Sequence, residues 1–342
     1  PTAQHPTQPS TVTPKDGYRF EKWQQDDLTF FNSDDELRNS EYLEDQTFIA
    51  HFTVRRDLHY EIHYFYEDAN GVVTEDTAAA IVSDIGVFGE KILKTTVAKE
   101  SEFNGKNYVL ERIEGADKQI GLDPKENIVN VYYSIDVIGK EDPDKPDNIP
   151  DKYQITFTYV SADANKGTVT GTTKEVVTTY EITRDSVTGE IIVGNGPTAQ
   201  HPTQPSTVTA KAGYKFDKWT DEDQKSFDDD AALKAASYLE DQTFTAHFTA
   251  TEQTYRVKYL DEDKNVEIRD MSDPRDAHFG DVIEGYTEKI EISGYTFVRA
   301  DDLTVGTDNE QNIVNVYYSK DTNEDDIPDK YQITFTYVSA DA

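Results

Sequence analysis

The sequence contains no cysteine among its 342 residues, so neither disulfides nor a thiolate nucleophile are available to this protein. No apolar run reaches the roughly 18 residues that a membrane-spanning helix needs, and we expect no membrane insertion in this segment. The P-loop, GxSxG, HExxH and dinucleotide-binding glycine patterns are missing as well. We therefore predict that the chain is not an enzyme.

Basic residues are scarce beside acidic ones. The chain has 33 Lys and Arg against 67 Asp and Glu, which gives a formal net charge of −34. Such a charge repels phosphate backbones and anionic lipid surfaces, so we expect no nucleic-acid partner. It favours solubility and can attract divalent cations. The mean hydropathy of −0.73 indicates several small cores rather than one large core.

The chain repeats itself, and long repeats indicate an array of similar modules. Four segments recur without any change: 1–13 at 197–209, 42–48 at 238–244, 127–134 at 312–319, and 149–164 at 327–342. The first copy carries insertions between residues 53 and 127 and between 136 and 149. Because the chain begins and ends at different points of the repeat, we expect it to be an excerpt from a longer array.

Each repeat divides into two modules, which we call A and B. The predicted organisation is A1 (residues 1–53, partial), B1 (54–138), a first acidic, proline-bearing linker (139–151), A2 (152–249, complete), B2 (250–321), and residues 322–342, which hold a second linker and the first strand of a further A module.

Strands are predicted to dominate. In residues 154–160, Ile155, Phe157 and Tyr159 alternate with polar residues, a pattern typical of a half-buried strand. Each A module also carries one helix signal. Ser33 begins a capping box in A1, and Asp229 stands at the same place in A2 before the helix-forming residues 231–239. We predict a β-rich α+β fold, an elongated tandem array of small β-grasp-like modules.

Module B resembles the mucin-binding (MucBP) repeat of Gram-positive surface proteins. In B2 the matching segments are 255–261, 279–281, 294–298 and 314–318, and B1 matches at 60–64, 88–89, Gly105 and 129–133. Module A is similar to the internalin B-repeat, through residues 213–219 and 241–248. Residues 321–329 look like the calcium-binding spacer found between such modules.

The resemblance implies an extracellular protein of the bacterial cell wall, with its modules strung end to end. The first hypothesis is a segment of an adhesin that acts as a repetitive stalk or spacer, contacting neighbouring repeats of the same chain. The second is direct binding of host mucin or another glycoprotein, with avidity from the tandem copies. The third is an accessory region of a secreted glycosidase.

The second linker offers a candidate calcium site. Asp321, Asn323 and Asp325 alternate along the chain and Asp329 follows, so oxygen ligands recur at a spacing suited to Ca²⁺. The ion would be structural, and no cofactor is required. The alternative is a solvated acidic linker that proline stiffens.

Other candidates have simpler explanations. The first linker carries Asp142, Asp144, Asp147 and Asp151, but Pro143 and Pro146 break the calcium spacing. His59, Glu61 and His63 share one strand face, and Thr254, Arg256 and Lys258 replace them in B2, which favours a surface stripe over a metal site. Trp23 and Trp219 are predicted core anchors rather than sugar platforms. No Lys–Asn–carboxylate trio for an isopeptide crosslink stands out.

Overall fold

The computed structural model describes residues 1–7, 11–77, 84–97, 102–203 and 207–339. Strands take up 43% of the chain and helices 7%, which confirms the prediction of a β-rich fold with several small sheets. Within the described ranges, no helix has both the length and the apolar character needed to cross a membrane.

The strands are β1 (Tyr18–Gln25), β2 (Phe30–Phe31), β3 (Phe48–Val54), β4 (Leu58–Glu67), β5 (Val73–Glu75), β6 (Asp84–Gly86), β7 (Glu102–Phe103), β8 (Lys106–Glu114), β9 (Ile128–Ile135), β10 (Gln154–Ser161), β11 (Gly167–Thr170), β12 (Lys174–Thr178), β13 (Ile182–Arg184), β14 (Ile191–Val193), β15 (Thr207–Ala210), β16 (Tyr214–Thr220), β17 (Ser226–Phe227), β18 (Gln242–Ala250), β19 (Glu252–Asp261), β20 (Val266–Arg269), β21 (Arg275–His278), β22 (Val282–Ile283), β23 (Tyr295–Ala300), β24 (Leu303–Thr304) and β25 (Ile313–Lys320). The α-helices are α1 (Asp34–Arg38) and α2 (Asp230–Ala235), and single 3-10 turns cover Pro124–Glu126, Asp151–Tyr153, Gly285–Glu288 and Asp329–Tyr331.

Both predicted helix starts are confirmed. The Ser33 hydroxyl accepts the Glu36 N–H at 3.2 Å, and the Asp229 carboxylate accepts the Ala232 N–H at 2.8 Å. However, α2 ends at Ala235, short of the predicted residue 239. The Tyr238 side chain packs against Phe244 instead and donates its hydroxyl to Asp221 at 2.9 Å. This tertiary packing outweighs the local helix propensity.

The chain forms two compact units. One comprises residues 1–156 and 176–200, and the other comprises residues 157–175 and 201–342. The first unit holds the small sheet of A1, in the order β2-β1-β3, and the sheet of B1, in the order β5-β4-β9-β8-β7 with β6 also on β4. It also holds the hairpin of β13 and β14.

The second unit holds the sheet of B2, in the order β20-β19-β25-β23 with β21 also on β19. In the A2 sheet, β18 lies between β10 and β16, and β17 follows at the edge. Strands β10 and β12 run through the boundary between the two units.

B1 and B2 share one plan. The first strand, β4 or β19, pairs in parallel with the last strand, β9 or β25, in the same register: Ile62 lies opposite Val129, and Val257 opposite Val314. A bulge lies between Leu110 and Arg112 in β8 and recurs between Phe297 and Arg299 in β23. The copies therefore preserve pairing geometry although their sequences differ.

Each B module has a core of its own. The B1 core contains Ile62, Tyr64, Tyr66, Val97, Tyr108, Leu110, Ile113, Val129, Val131, Tyr133 and Ile135. The B2 core contains Tyr255, Val257, Tyr259, Ala277, Val305, Val314, Val316 and Tyr318.

Candidate functional site

The second linker begins with a buried carboxylate. Asp321 directly follows β25, and 2% of the residue is exposed. Its Oδ1 accepts the Asp325 N–H at 3.3 Å and its Oδ2 accepts the Asp326 N–H at 3.0 Å. Asp326 has a φ of +64°, which turns its N–H inward. The aspartate thus folds the linker back onto the end of the sheet.

The other predicted ligands make hydrogen bonds within the linker. The Asn323 amide donates to Asp325 Oδ2 at 2.9 Å. Asp329 instead faces Thr322, whose N–H and hydroxyl donate to its two oxygens at 2.9 and 2.6 Å. These bonds hold the pKa of Asp329 below its ordinary value. The structure therefore brings Asn323 to Asp325 and brings Asp329 to the start of the linker.

These residues do not form a ligand cluster in their present arrangement. The oxygens of Asp321 and Asp329 accept bonds from N–H and O–H groups of the chain itself. Across the part of the chain that the structure describes, no group of three His, Cys, Asp or Glu side chains is placed to hold a metal ion. Calcium at Asp321, Asn323, Asp325 and Asp329 stays a prediction.

The first linker follows the same scheme despite its insertion. Asp136, 3% exposed, accepts the Asp147 N–H at 3.1 Å and the Asn148 N–H at 2.8 Å. Asp151 accepts the N–H of Val137 at 2.9 Å, as Asp329 does with Thr322. In both copies a glutamine that follows the linker donates to its central aspartate: Gln154 to Asp147 at 2.8 Å, and Gln332 to Asp325 at 2.6 Å.

A lysine ties each linker to the sheet of the preceding B module. Lys152 Nζ lies 2.6 Å from Glu67 and 2.9 Å from Glu111. Lys330 Nζ lies 3.2 Å from Glu262 and 2.9 Å from Asp263. Each linker is therefore fastened by a buried aspartate at one end and by a lysine bridge at the other.

Burial changes the titration of the first linker. It raises the pKa of Asp136 to about 6, and the nearby carboxylates of Asp147 and Asp151 act in the same direction. Burial also raises the pKa of Asp151. For Glu111 burial acts in the same way, but hydrogen bonds from Ser134 and Lys152 outweigh it and hold its pKa below the ordinary value.

Sequence reasoning did not identify several of these residues. Asp136, Gln154, Gln332, Lys152 and Lys330 carry the junction contacts, yet none matched a known motif. The available signal was repetition itself, because the segment Ile-Pro-Asp-Lys-Tyr-Gln occurs unchanged in both linkers although the residues before it differ.

The two tryptophans are core anchors, as predicted. Trp23 is 5% exposed and Trp219 is fully buried. Each indole N–H donates at 2.8 Å to the aspartate that opens the neighbouring helix, Asp34 in A1 and Asp230 in A2. The indole faces are therefore packed inside the modules and are not open to a sugar ring.

His63 lies between two carboxylates. Its Nδ1 is 2.6 Å from Glu75 and its Nε2 is 3.1 Å from Glu61. Burial alone lowers the pKa of His63, but these two partners outweigh it and raise the pKa above its ordinary value. Both ring nitrogens are engaged, so the geometry is that of a half-buried histidine paired with two carboxylates.

An aromatic ladder covers the outer face of the B1 sheet. His63 stacks on Phe65 at a centroid distance of 6.4 Å, and Phe65 stacks on Tyr132 at 5.0 Å. The Arg112 guanidinium lies 3.8 Å above the Tyr132 ring. B2 keeps the last pair as Arg299 on Tyr317 but has Lys258 and Leu260 in the first two places.

Residues 5–55 match the family model of the divergent InlB B-repeat domain. This segment spans β1 to β3 and α1, the sheet and helix of A1. The match supports a bacterial surface repeat, a class that is found outside the cell or on its surface. A comparison with curated proteins finds no match. The resemblance of module B to mucin-binding repeats stays a prediction.

Proposed function

We propose that this chain is a non-enzymatic segment of an adhesin attached to the bacterial cell wall, where its β-grasp-like modules form a repetitive stalk. The surface-repeat match of A1 and the duplication of both modules support this function. The high negative charge also favours it, because like charges discourage collapse of neighbouring modules onto each other. Cell-wall attachment is part of the proposal, and the match of A1 to a surface repeat supports it.

The observation that carries the proposal is the pairing of first and last strands. The first and last strands are adjacent and parallel in three modules: β4 and β9 in B1, β19 and β25 in B2, and β10 and β18 in A2. Tension along the chain pulls on the N-terminal end of a module's first strand and on the C-terminal end of its last strand, in opposite directions. All hydrogen bonds between two parallel strands then share the load in shear, which suits a stalk that bears force.

Single-molecule pulling on B2 tests this point. Since the chain has no cysteine, handles can be attached through introduced ones. Handles at Glu252→Cys and Lys320→Cys load β19 and β25 in shear. The control pair, Glu252→Cys and Gln311→Cys, pulls the same strands apart from one end, so that bonds break in sequence. We expect a clearly higher unfolding force in shear at equal pulling speed; equal forces would remove the argument for a stalk.

Direct glycan binding is the second candidate, and the aromatic ladder of B1 favours it. The ladder offers apolar surface against which a sugar can pack, and Arg112, which lies over the Tyr132 ring, adds hydrogen-bond donors. Mucin or a glycoprotein is the proposed ligand. The natural control is B2, because Leu260 replaces Phe65 there.

A mucin pull-down with the whole chain and with Phe65→Leu tests the ladder. Binding through the ladder predicts retention of the original protein and loss of most retention in the variant. Equal retention of both proteins would place binding elsewhere, and no retention of either would leave the stalk as the function.

A further inference from the structure

The hairpin of β13 and β14 is a preformed element. Its strands pair between Ile182 and Val193, and the turn between them is organised by Asp185. The Asp185 carboxylate accepts the N–H of Thr188 at 2.7 Å, and its own N–H donates to the Glu190 carbonyl at 2.9 Å. The side chains that leave this hairpin therefore project from a fixed backbone.

The hairpin belongs to the sequence of A2, yet it contacts B1. β14 lies against β8, and both belong to the first compact unit. The Glu190 carboxylate accepts Lys94 Nζ at 2.8 Å and the Ile113 backbone N–H at 2.7 Å. The side chain of Glu190 is 16% exposed and that of Lys94 is 28% exposed, so water screens this pair less than an ordinary surface ion pair.

A second contact lies beside the first linker. Arg184, at the end of β13, donates to the carbonyl oxygen of Asn148. The N–H of the same Asn148 donates to Asp136 at 2.8 Å, and the Asp136 charge attracts the guanidinium. Arg184 thus supplies a positive charge at the acidic junction.

We propose that the β13–β14 hairpin is a docking clamp by which A2 holds the preceding module B1, with Glu190 bound to Lys94 and Ile113 and Arg184 bound to the first linker. The partner surface is the loop that carries Lys94 together with the edge of β8. The clamp lies within the first compact unit and adds to the bonds that fasten the acidic linker itself.

The clamp belongs to this junction in particular. Counting from the Phe-Gly pair that both B modules share, Gly285 of B2 stands where B1 has Lys94. B2 therefore offers no lysine at this place for a following hairpin. We infer that the two B modules differ in how firmly a following A module is held.

Hydrogen exchange on the whole chain tests the clamp, with the Ile113 amide as reporter. We expect Glu190→Ala to raise the exchange rate of Ile113 about tenfold, and Lys94→Met to raise it in the same direction. Glu181→Ala is the matched control, since the Glu181 side chain bonds to Asn195 within its own segment. The Val131 amide, in the B1 core, reports on the fold of the module.

Trypsin adds an independent readout, because Arg184 is itself a cleavage site. Release of the hairpin predicts faster cleavage after Arg184 in Glu190→Ala than in Glu181→Ala. Unchanged Ile113 exchange, or equal cleavage in both variants, would overturn the proposal. If Glu190→Ala also raises the exchange rate of the Val131 amide, the substitution has destabilised the module. The exchange rates of Ile113 and Val131 in the milder Lys94→Met variant then decide. The clamp does not rest on the stalk function, and failure of the pulling experiment would leave it standing.

Discussion

Asp136 makes the stability of B1 depend on pH in an unusual direction. Its carboxylate is buried at the end of β9, close to Asp147 and Asp151, and its pKa is raised to about 6. The facing groups are these two aspartates and Arg184. A group with a raised pKa binds its proton more tightly in the folded state than in the unfolded state. Its contribution to stability is therefore full below its ordinary pKa and is lost as the pH rises through about 6.

The size of the effect follows from the shift. The pKa rises from 3.8 to about 6, and one pKa unit corresponds to about 1.4 kcal/mol, so the free energy of unfolding changes by about 3 kcal/mol between acid and neutral pH through this group alone. Asp136→Asn removes the titration. We therefore expect the substitution to cost more at pH 4 than at pH 7.5.

Two measurements check this expectation. The first is the NMR titration of the Asp136 side-chain carboxyl carbon. The second is urea unfolding of the whole chain and of Asp136→Asn at both pH values, followed through B1 amides. Asp142→Asn is the control, because the half-buried Asp142 accepts a hydrogen bond from Lys145, which lowers its pKa. The contribution of Asp142 to stability has the opposite dependence on pH, because it is present at neutral pH and is lost in acid.

An Asp136 pKa at or below the ordinary aspartate value would refute the reasoning. So would a difference between the original protein and Asp136→Asn that stays constant from pH 4 to pH 7.5.

Two substitutions and one ligand addition have outcomes that can be measured. Trp219→Phe removes the indole bond to Asp230 and leaves a cavity at a fully buried site, so we expect A2 to lose about 2–4 kcal/mol in urea unfolding; an unchanged midpoint would contradict this. Gly115→Ala forces a Cβ to within 2.2 Å of the Ile128 carbonyl oxygen, at a φ of +80°. We expect it to lower the melting temperature of B1 by more than Gly105→Ala, which has a similar φ and open space around it, and equal shifts would show that crowding is unimportant. If the second linker binds calcium, adding the ion to metal-free protein should raise the melting temperature. A melting temperature that changes neither on calcium addition nor on chelation would show that this linker does not bind the ion.

The repeats show what sequence could and could not predict. Residues 154–160 and 332–338 are identical, and alternation predicts a strand in both. The first forms β10, where Phe157 is fully buried against Phe244 of the neighbouring β18. In the second, Phe335 is 75% exposed and the backbone is not in a strand. Local pattern identified the segment, but pairing with β18 decides whether it becomes a strand.

Contacts between distant residues were beyond a local pattern for the same reason. The caps of α1 and α2 involve neighbours in sequence and were predicted. Glu190 and Lys94 lie far apart in sequence, and only the docking of β14 on β8 brings them together. The acidic residues of the linkers were identified as a group, but charge alone did not show that backbone N–H groups bind them.

Because the strand that closes each sheet is also the last to leave the ribosome, synthesis and folding are linked in this protein. β4 must wait for β9, and β10 must wait for β18, before either has its parallel partner. Until then an open strand edge faces near-identical segments of other repeats, which is the situation in which repeat proteins exchange strands.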